Sequence, residues 1–205
     1  MDSQTVSIII LAAGASKRMG STIKQLLPWG NTTLLGHAIE QTRPLNAKTY
    51  VVLGAHADEI KPKLSDEVEV LKHSHWQNGM GSSIAFGVEQ VLQMNPQTET
   101  IMILLADQPF MDGTFLKKLL AEHTKQDANT SATNYPNERV GVPAVFNAPY
   151  FSALRSLDKD KGARQLLNDS NENIFAIPAG EKGMDIDTME DYQRLLFLQK
   201  EGNTL

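Results

Sequence analysis

The chain has 205 residues, no cysteine and a formal net charge of −5. The lack of thiols excludes disulfides, cysteine nucleophiles and cysteine-ligated zinc, and the acidic balance argues against a general nucleic-acid-binding surface and favours small-molecule partners. No apolar run approaches the roughly 20 residues of a membrane helix, and no secretory signal follows Met1, so the sequence predicts a cytoplasmic protein with one domain over residues 1–205.

The chain opens with an apolar segment, Val6 to Leu11, that leads into a loop of small residues. A short apolar run of this kind is typical of a buried parallel strand whose carboxyl end faces a ligand. Gly14 has no Cβ, so the backbone can approach an anion closely there. The cations Lys17, Arg18 and Lys24 follow within ten residues. We interpret this loop as a polyphosphate cradle.

The spacing of the loop differs from the two common phosphate-binding motifs. A P-loop has two glycines with four residues between them, followed by Lys and Ser or Thr, whereas five residues separate Gly14 from Gly20 and Ser21 follows directly. The dinucleotide fingerprint has three closely spaced glycines, and Gly14 stands alone until Gly20. The loop therefore fits neither motif.

The next segments alternate between helix and strand. Helical spacing and capping residues indicate a helix over Leu34–Thr42 capped by Thr32 or Thr33. An apolar run indicates a strand over Thr49–Leu53 that turns at Gly54. A weak helix over Asp58–Leu64, interrupted by Pro62, and a strand from Val68 to Leu71 follow. A strand, a helix and a second strand in this order form a βαβ unit, which builds a parallel sheet.

A glycine-rich turn, Gly79-Met80-Gly81, precedes the next helix, for which Ser82 is the predicted N-cap. The helix keeps apolar residues at helical spacing from Ile84 to Leu92. Another apolar run, Ile101 to Leu105, then ends in Ala106-Asp107-Gln108-Pro109. A polar residue directly after a buried strand indicates a second edge of the active site.

The remaining segments continue the alternation. A helix around Phe115 to Leu120 comes first, followed by strands over Thr130–Tyr135 and Arg139–Phe146 with a turn at Pro136-Asn137. A short helix with Leu166 and Leu167 and a strand over Ile174–Ile177 come next. The final helix, with Tyr192 to Leu198, begins at a capping box of Thr188 and Asp191. Pro143 predicts that its strand is irregular or lies at a sheet edge. The pattern predicts one three-layer α/β domain with a mostly parallel sheet, whose ligands bind at strand carboxyl ends.

Three acidic residues are candidates for a metal site. Asp107 follows an apolar strand and faces the same crevice as the Gly14 loop, and Mg²⁺ needs only one or two carboxylates beside waters and phosphates. Asp185 and Asp187 alternate along a predicted strand, which places both on one face with Ile186 turned inward. The alternative is that these carboxylates only cap helices or complement helix dipoles.

The loop resembles, residue by residue, the signature of nucleotidyltransferases with a Rossmann-like fold. The matching residues are Leu11-Ala12-Ala13-Gly14, Ser16, Arg18-Met19-Gly20 and Lys24. The later motifs that match are Gly79-Met80-Gly81-Ser82-Ser83, Ala106-Asp107-Gln108-Pro109, Lys161-Gly162-Ala163-Arg164 and Asp185-Ile186-Asp187-Thr188. Within that superfamily the chain looks most like the molybdenum cofactor cytidylyltransferases, whose loop carries the Ala13 form, while guanylyl-transferring relatives usually have glycine there.

The resemblance implies a Mg²⁺-dependent enzyme, with Mn²⁺ as the other candidate ion, that transfers CMP from CTP to molybdopterin-type molybdenum cofactor and releases pyrophosphate. It implies catalytic roles for Arg18, Lys24 and Asp107, and metal binding by Asp107 and Asp187 with Asp185 as the alternative. The nucleotide-binding residues that it implies are Leu11, Ala12, Ala13, Gly14, Ser16, Arg18, Lys24, Gly79, Met80, Gly81, Ser82 and Ser83.

Several alternatives remain open from the sequence. Gly141-Val142-Pro143 stands where the cytidylyltransferases commonly have Gly-His-Pro, a difference that concerns the acceptor more than the nucleotide chemistry. The acceptor is alternatively a sugar or alcohol phosphate, and the donor another nucleotide. The family also includes proteins linked to molybdenum hydroxylase assembly and a nicotine-pathway oxidoreductase, so a maturation partner of a client hydroxylase and a reductase are further hypotheses.

Overall fold

The computed structural model describes residues 5–136, 139–159, 162–169 and 174–201. Nine strands lie in these segments: β1 Val6–Ala12, β2 Pro28–Trp29, β3 Thr32–Thr33, β4 Lys48–Leu53, β5 Glu69–Lys72, β6 Thr100–Leu105, β7 Thr130–Tyr135, β8 Arg139–Asn147 and β9 Phe175–Pro178. Strands β2 and β3 form a small hairpin, and the other seven form one sheet in the order β5-β4-β1-β6-β8-β7-β9.

The sheet is mostly parallel, as predicted. Strand β1 pairs in parallel with both β4 and β6, and β5 pairs in parallel with β4. Strand β8 runs antiparallel to both of its neighbours, so β7 and β9 return to the direction of β1. The carboxyl ends of β1, β4 and β6 therefore meet at one edge of the sheet, where ligands bind in such folds.

The helices cover both faces of the sheet. They are α1 Leu34–Thr42, α2 Ala57–Ile60, α3 Met80–Met94, α4 Gly113–Lys125, α5 Phe151–Arg155, α6 Ala163–Asp169 and α7 Met189–Lys200. Apolar residues of α1, α2 and α4 pack on one face with Ile8 and Ile10, and those of α3, α5 and α6 pack on the other face with Ile9 and Leu11. The fold is thus the three-layer α/β architecture that the sequence predicts.

Strand β1 is central because both of its faces are covered. All seven of its residues are buried, and successive side chains alternate between the two apolar clusters. A strand of this kind reads as a continuous apolar run without polar alternation, which is how Val6 to Leu11 appears in the sequence. The loop that follows β1 is consequently held at the middle of the sheet edge.

A third apolar cluster joins the end of the chain to its beginning. Helix α7 contributes Tyr192 and Leu195, which pack with Trp29 of the β2–β3 hairpin, with Met19 and with the fully buried Ile186. The Tyr192 hydroxyl donates a hydrogen bond to the Pro28 carbonyl at 2.8 Å. The predicted capping box starts α7: the Thr188 hydroxyl accepts from the Asp191 N–H, and the Asp191 carboxylate accepts from the Thr188 N–H. This packing brings residues 185–187 to the sheet edge.

Some of the predicted local structure is wrong. Helix α3 begins at Met80 with Gly79 as its N-cap, so Ser82 lies within the first turn and is not the cap. Residues 184–187 form no strand. The irregularity predicted at Pro143 is confirmed: β8 has neighbours on both sides, and its register against β7 shifts after Ala132 so that Val142 and Pro143 are skipped. Among the other predicted positions, Asn137 and Lys161 lie outside the described residues.

The described residues contain no helix long and apolar enough to cross a membrane.

A buried histidine of α4 packs against the sheet near the edge opposite the carboxyl end of β1. His123 of α4 is fully buried, with Nδ1 at 2.9 Å from the Ser131 hydroxyl and Nε2 at 3.0 Å from the Asn147 side-chain oxygen. Burial lowers the pKa of His123 below its ordinary value, although the Asn147 contact acts in the other direction. The folded state therefore favours the neutral imidazole.

We expect His123 to make the protein less stable in acid. Because the pKa of His123 is lower in the folded than in the unfolded state, the unfolded chain binds the proton first as the pH falls below about 6.5. Denaturant unfolding at pH 7.5, 6.5 and 5.5 should show the free energy of unfolding falling with pH, and His123→Gln should reduce that fall. An identical pH dependence in the two proteins would contradict this role.

Candidate active site

The loop after β1 and the start of α3 line a cavity of about 410 Å³ at the carboxyl edge of the sheet. Ser16 has φ 52°, in the left-handed region, and so turns the loop sharply before the short 3₁₀ turn over Lys17–Met19. Of the residues that the sequence nominates, this cavity brings together Leu11, Ala12, Ala13, Gly14, Ser16, Lys24, Gly79, Met80, Ser83 and Asp107. One cavity thus joins three segments that are distant in sequence.

Lys24 is the ionic centre of the site. Its ammonium group donates to the Asp107 carboxylate at 2.7 Å and to the Ile186 carbonyl at 2.8 Å, and it lies 3.6 Å from the Asp187 carboxylate. The Lys24 side chain is only 15% exposed, so this charge-assisted contact with Asp107 is shielded from much of the solvent. Lys24 therefore links the loop region to β6 and to the segment before α7.

Arg18 pairs with Asp187 at the rim of the site. Its guanidinium donates to Asp187 Oδ2 at 3.0 Å, while the Arg18 side chain is 73% exposed and does not line the cavity. An ion pair this exposed contributes little to stability. Asp187 lies beside the cavity because it is near Lys24, which lines it. Since the ion pair is weak, the Arg18 side chain can exchange its carboxylate partner for a ligand phosphate at small cost.

The third candidate carboxylate, Asp185, has a different environment. Its Oδ1 accepts a hydrogen bond from the Gln108 amide at 2.8 Å. Partial burial, followed by the charges of Asp107 and Asp187, raises the pKa of Asp185 to about 6 despite the Gln108 bond. The three acidic side chains that the sequence nominates thus lie close enough to repel one another.

The donor set suits a hard divalent cation. Asp107 Oδ1 is buried and has no hydrogen-bond partner among the described residues, whereas its other oxygen contacts Lys24. An orphaned carboxylate oxygen beside two further carboxylates is the chemistry that Mg²⁺ and Mn²⁺ select. The described part of the chain holds no cluster of three or more acidic or histidine ligands that would bind a metal alone. Ligand phosphates would have to complete the coordination.

The nominated residues at the start of α3 divide between two sides of the helix. Met80 and Ser83 face the cavity, and the Ser83 hydroxyl also donates to the Gly79 carbonyl at 3.3 Å. The Ser82 hydroxyl instead lies 3.0 Å from His73 Nε2, and neither Ser82 nor Gly81 lines the cavity. The Gly81 N–H donates to the Lys159 carbonyl at 2.8 Å, which ties the helix start to the chain after α5.

A second cavity of about 490 Å³ adjoins the first and shares Leu11, Met80 and Leu105 with it. Its wall includes the side chains of Arg139 and Arg164, which bring positive charge. The other residues of interest in this wall are Gln108, Tyr135, Val142 and Asp185. The site therefore offers room for two ligands whose ends meet beside β1 and β6.

Sequence reasoning missed the hydrogen bonds that order the walls of the two cavities. The Gln108 amide nitrogen donates to the Tyr135 hydroxyl as well as to Asp185, and the Tyr135 hydroxyl donates to the Val142 carbonyl. The buried Gln25 side chain, next to Lys24, holds the loop after β1. A glutamine beside a nominated lysine is the only signal for Gln25 in the sequence, and nothing local indicates Tyr135.

The fold and this paired cavity are those of an enzyme that transfers nucleotidyl groups. Residues 8–174 match the family model described as the MobA-like NTP transferase domain, and the chain belongs to this family of nucleotidyltransferases. The nicotine blue oxidoreductase of Paenarthrobacter nicotinovorans is 31% identical over 204 residues, which cover 95% of this chain and 98% of that protein.

Solved structures agree with the family match. The crystal structure of Rv0371c from Mycobacterium tuberculosis H37Rv superposes with a TM-score of 0.83 and 28% identity, over 96% of this chain and 99% of that one. A structure of Rv0371C in complex with manganese has a TM-score of 0.78 and 26% identity, over 94% and 98% of the two chains. A divalent metal is thus consistent both with a similar protein and with the carboxylates found here.

We expect Asp185→Asn to stabilise the protein at neutral pH. Because the pKa of Asp185 is raised in the folded state, its negative charge costs stability above pH 6, and the cost falls as the folded protein takes up the proton below pH 6, so that little of it is left at pH 4. Asparagine keeps an acceptor for Gln108 without the charge. The gain should stay under about 1 kcal/mol, since Asp185 retains solvent contact.

Thermal unfolding at pH 7.5 and pH 4 measures this effect. The melting temperature of Asp185→Asn should exceed that of the wild type at pH 7.5, and the difference should be much smaller at pH 4. A variant that is equally destabilised at both pH values would show that the carboxylate serves the fold through its hydrogen bonds and carries no electrostatic cost.

Proposed function

We propose that this nucleotidyltransferase transfers CMP from CTP to a molybdopterin-type molybdenum cofactor, with Mg²⁺ as its ion. The observation that carries the proposal is the pair of adjoining cavities that meet at Leu11, Met80 and Leu105, with Asp107 and Lys24 in the wall of the first. The resemblance of the loop to the cytidylyltransferase signature, with Ala13 after Ala12, supports CTP as the donor. We treat residues 1–205 as one nucleotidyltransferase domain in the cytoplasm, where CTP is made and used.

In this proposal the first cavity holds the nucleotide. The triphosphate lies against the Gly14 loop and Lys24, and the base lies against the start of α3 at Gly79 and Met80. Arg18 moves from Asp187 to the triphosphate, where its planar fork of donors matches phosphate oxygens. The positive charges of Arg18 and Lys24 and the N–H groups of the loop stabilise the leaving pyrophosphate.

The second cavity holds the acceptor. Arg139 and Arg164 offer charge for its phosphate, and Val142, where the cytidylyltransferases commonly have histidine, makes this part of the wall apolar. A terminal phosphate oxygen of the acceptor attacks the α-phosphorus of CTP in line. A new P–O bond forms to the acceptor, the bond from the α-phosphorus to the bridging oxygen breaks, and pyrophosphate leaves with the electron pair.

Asp107 and Asp187 would hold the divalent ion, with Asp185 next to them. A bound Mg²⁺ supplies positive charge to the α-phosphate region. Asp107 is fixed for this role by its position after β6 and by the Ile186 N–H, which donates to the Asp107 carbonyl at 2.9 Å. Lys24 neutralises the Asp107 carboxylate until the ligands bind.

Three other functions compete with this one. The transferase alternatives use another nucleotide or another phosphorylated acceptor in the same two cavities. The oxidoreductase alternative takes its support from the 31% identical relative, the nicotine blue oxidoreductase. A reductase would bind a nicotinamide cofactor and would not need Asp107. A maturation partner of a client molybdenum hydroxylase would bind that client whether or not the nucleotide turns over.

Pyrophosphate release tests the proposal directly. The assay presents CTP, GTP, ATP and UTP separately with Mg²⁺, each with and without molybdenum cofactor. We expect release with CTP that requires the cofactor. Cofactor-dependent release with a different nucleotide would change the donor, and no release with any of the four, together with binding of a nicotinamide cofactor, would favour the reductase.

Replacement of Asp107 tests the assignment of its carboxylate. Asp107→Asn should lower pyrophosphate release at least about a hundredfold, because it removes the negative charge that would hold the divalent ion beside the reacting phosphates. The matched control is Asp66→Asn, at an exposed aspartate that lines neither cavity. Circular dichroism should show both variants folded. Normal release by a folded Asp107→Asn variant would remove Asp107 from the mechanism.

A further inference from the structure

The side chain of Gln25 is buried beneath the loop after β1. Only 4% of the residue is exposed, and it lies in the short 3₁₀ turn over Lys24–Leu26. Its amide nitrogen donates to the Ala12 carbonyl at 2.9 Å and to the Gly14 carbonyl at 3.0 Å, so both of its hydrogens are used on the loop. One neutral side chain thus holds two carbonyls on either side of Ala13.

The carbonyl between them is held by a different element. The Ala55 N–H, after β4, donates to the Ala13 carbonyl at 3.1 Å. Three successive carbonyls of the loop, those of residues 12, 13 and 14, therefore have fixed directions. In a trans peptide the N–H of the next residue points opposite to the carbonyl of the same unit. The three contacts accordingly set the directions of the N–H groups of Ala13, Gly14 and Ala15.

Without such contacts, the peptide unit after Gly14 would rotate more freely than any other in the loop, since glycine lacks the Cβ that restricts φ and ψ. Loop amides bind an anion well only when they point to it before it arrives, because the cost of orienting them is then already met in folding. The Ser16 hydroxyl adds a long contact to the Gln25 side-chain oxygen at 3.5 Å. Gln25 is therefore placed where it decides the loop's conformation.

We infer that Gln25 is a positioning residue that orients the loop amides for a triphosphate. The inference rests on the proposed function, in which this loop binds the phosphates of CTP. Gln25 acts through the backbone at Ala12 and Gly14 and needs no contact with the nucleotide. Its loss should weaken nucleotide binding while the sheet and the helices stay intact.

The test compares Gln25→Met, which keeps the length and removes the donors, with the wild type and with Gln126→Met. Gln126 is an exposed glutamine at the end of α4, remote from the cavities. Isothermal titration measures the dissociation constant for CTP with Mg²⁺. We expect Gln25→Met to raise it about tenfold, as the loss of two neutral hydrogen bonds would do, and Gln126→Met to leave it unchanged.

Trypsin supplies a readout that does not depend on the nucleotide. The loop contains Lys17 and Arg18, both exposed, so the rate of cleavage after them reports the order of the loop. Cleavage should be several-fold faster in Gln25→Met at a temperature well below the melting temperatures of both proteins. Gln25→Glu, which places a carboxylate against two carbonyls, should show the same faster cleavage if it folds.

The outcomes separate the inference from the proposed function. Unchanged CTP affinity and unchanged cleavage in a folded Gln25→Met variant would overturn the positioning role. If the wild type binds no CTP but the variant is cleaved faster, the loop-ordering role of Gln25 stands and the proposed function fails. A uniform rise of cleavage at many sites would assign Gln25 to the stability of the core and would also overturn the inference.

Discussion

The ion pair between Lys24 and Asp107 is the contact on which the site depends. Its partners are 83 residues apart, and the same ammonium group reaches the Ile186 carbonyl, 162 residues from Lys24. Half-buried charges are stable only when they are paired and hydrogen-bonded, so Lys24 and Asp107 each require the other. The order of the strands makes this contact possible, because β1 and β6 are neighbours and both end at the edge where Lys24 lies.

Around that contact the negative charges outnumber the positive ones, an arrangement that suits a bound cation better than it suits the stability of the fold. Asp107, Asp185 and Asp187 are crowded, and Lys24 and Arg18 provide the only two cationic side chains that the described residues place on them. Phosphates and a divalent ion would enter as one group: the ion would satisfy the carboxylates, and the phosphates would satisfy the cations that the carboxylates release. The ion pairs of Lys24 and Arg18 with these carboxylates are thus ones that a phosphate ligand and a divalent ion could replace.

Much of this architecture could be predicted from local sequence patterns. The apolar run of β1, Asp107 after β6 and the capping box at Thr188 each depend on neighbouring residues, and the structure confirms the strands and the cap. The wrong prediction for Ser82 has a local cause too. Gly79, with φ 100°, already ends the preceding turn, so α3 starts at Met80, two residues before Ser82. The roles of Gln25 and Tyr135 could not be predicted, because their hydrogen bonds join residues that only the folded chain brings together.

Gly54 follows β4 and packs against two residues that line the first cavity, Ala13 and Trp76. A Cβ at this position would lie 2.5 Å from the Ala13 carbonyl oxygen and 2.6 Å from the Trp76 side chain, so any other residue would displace one of them. The loop after β1 and the Trp76 side chain, in the segment that leads to α3, therefore both pack closely on Gly54. A larger residue at position 54 would therefore disturb both walls of the cavity at once, although Gly54 itself offers neither wall a side chain.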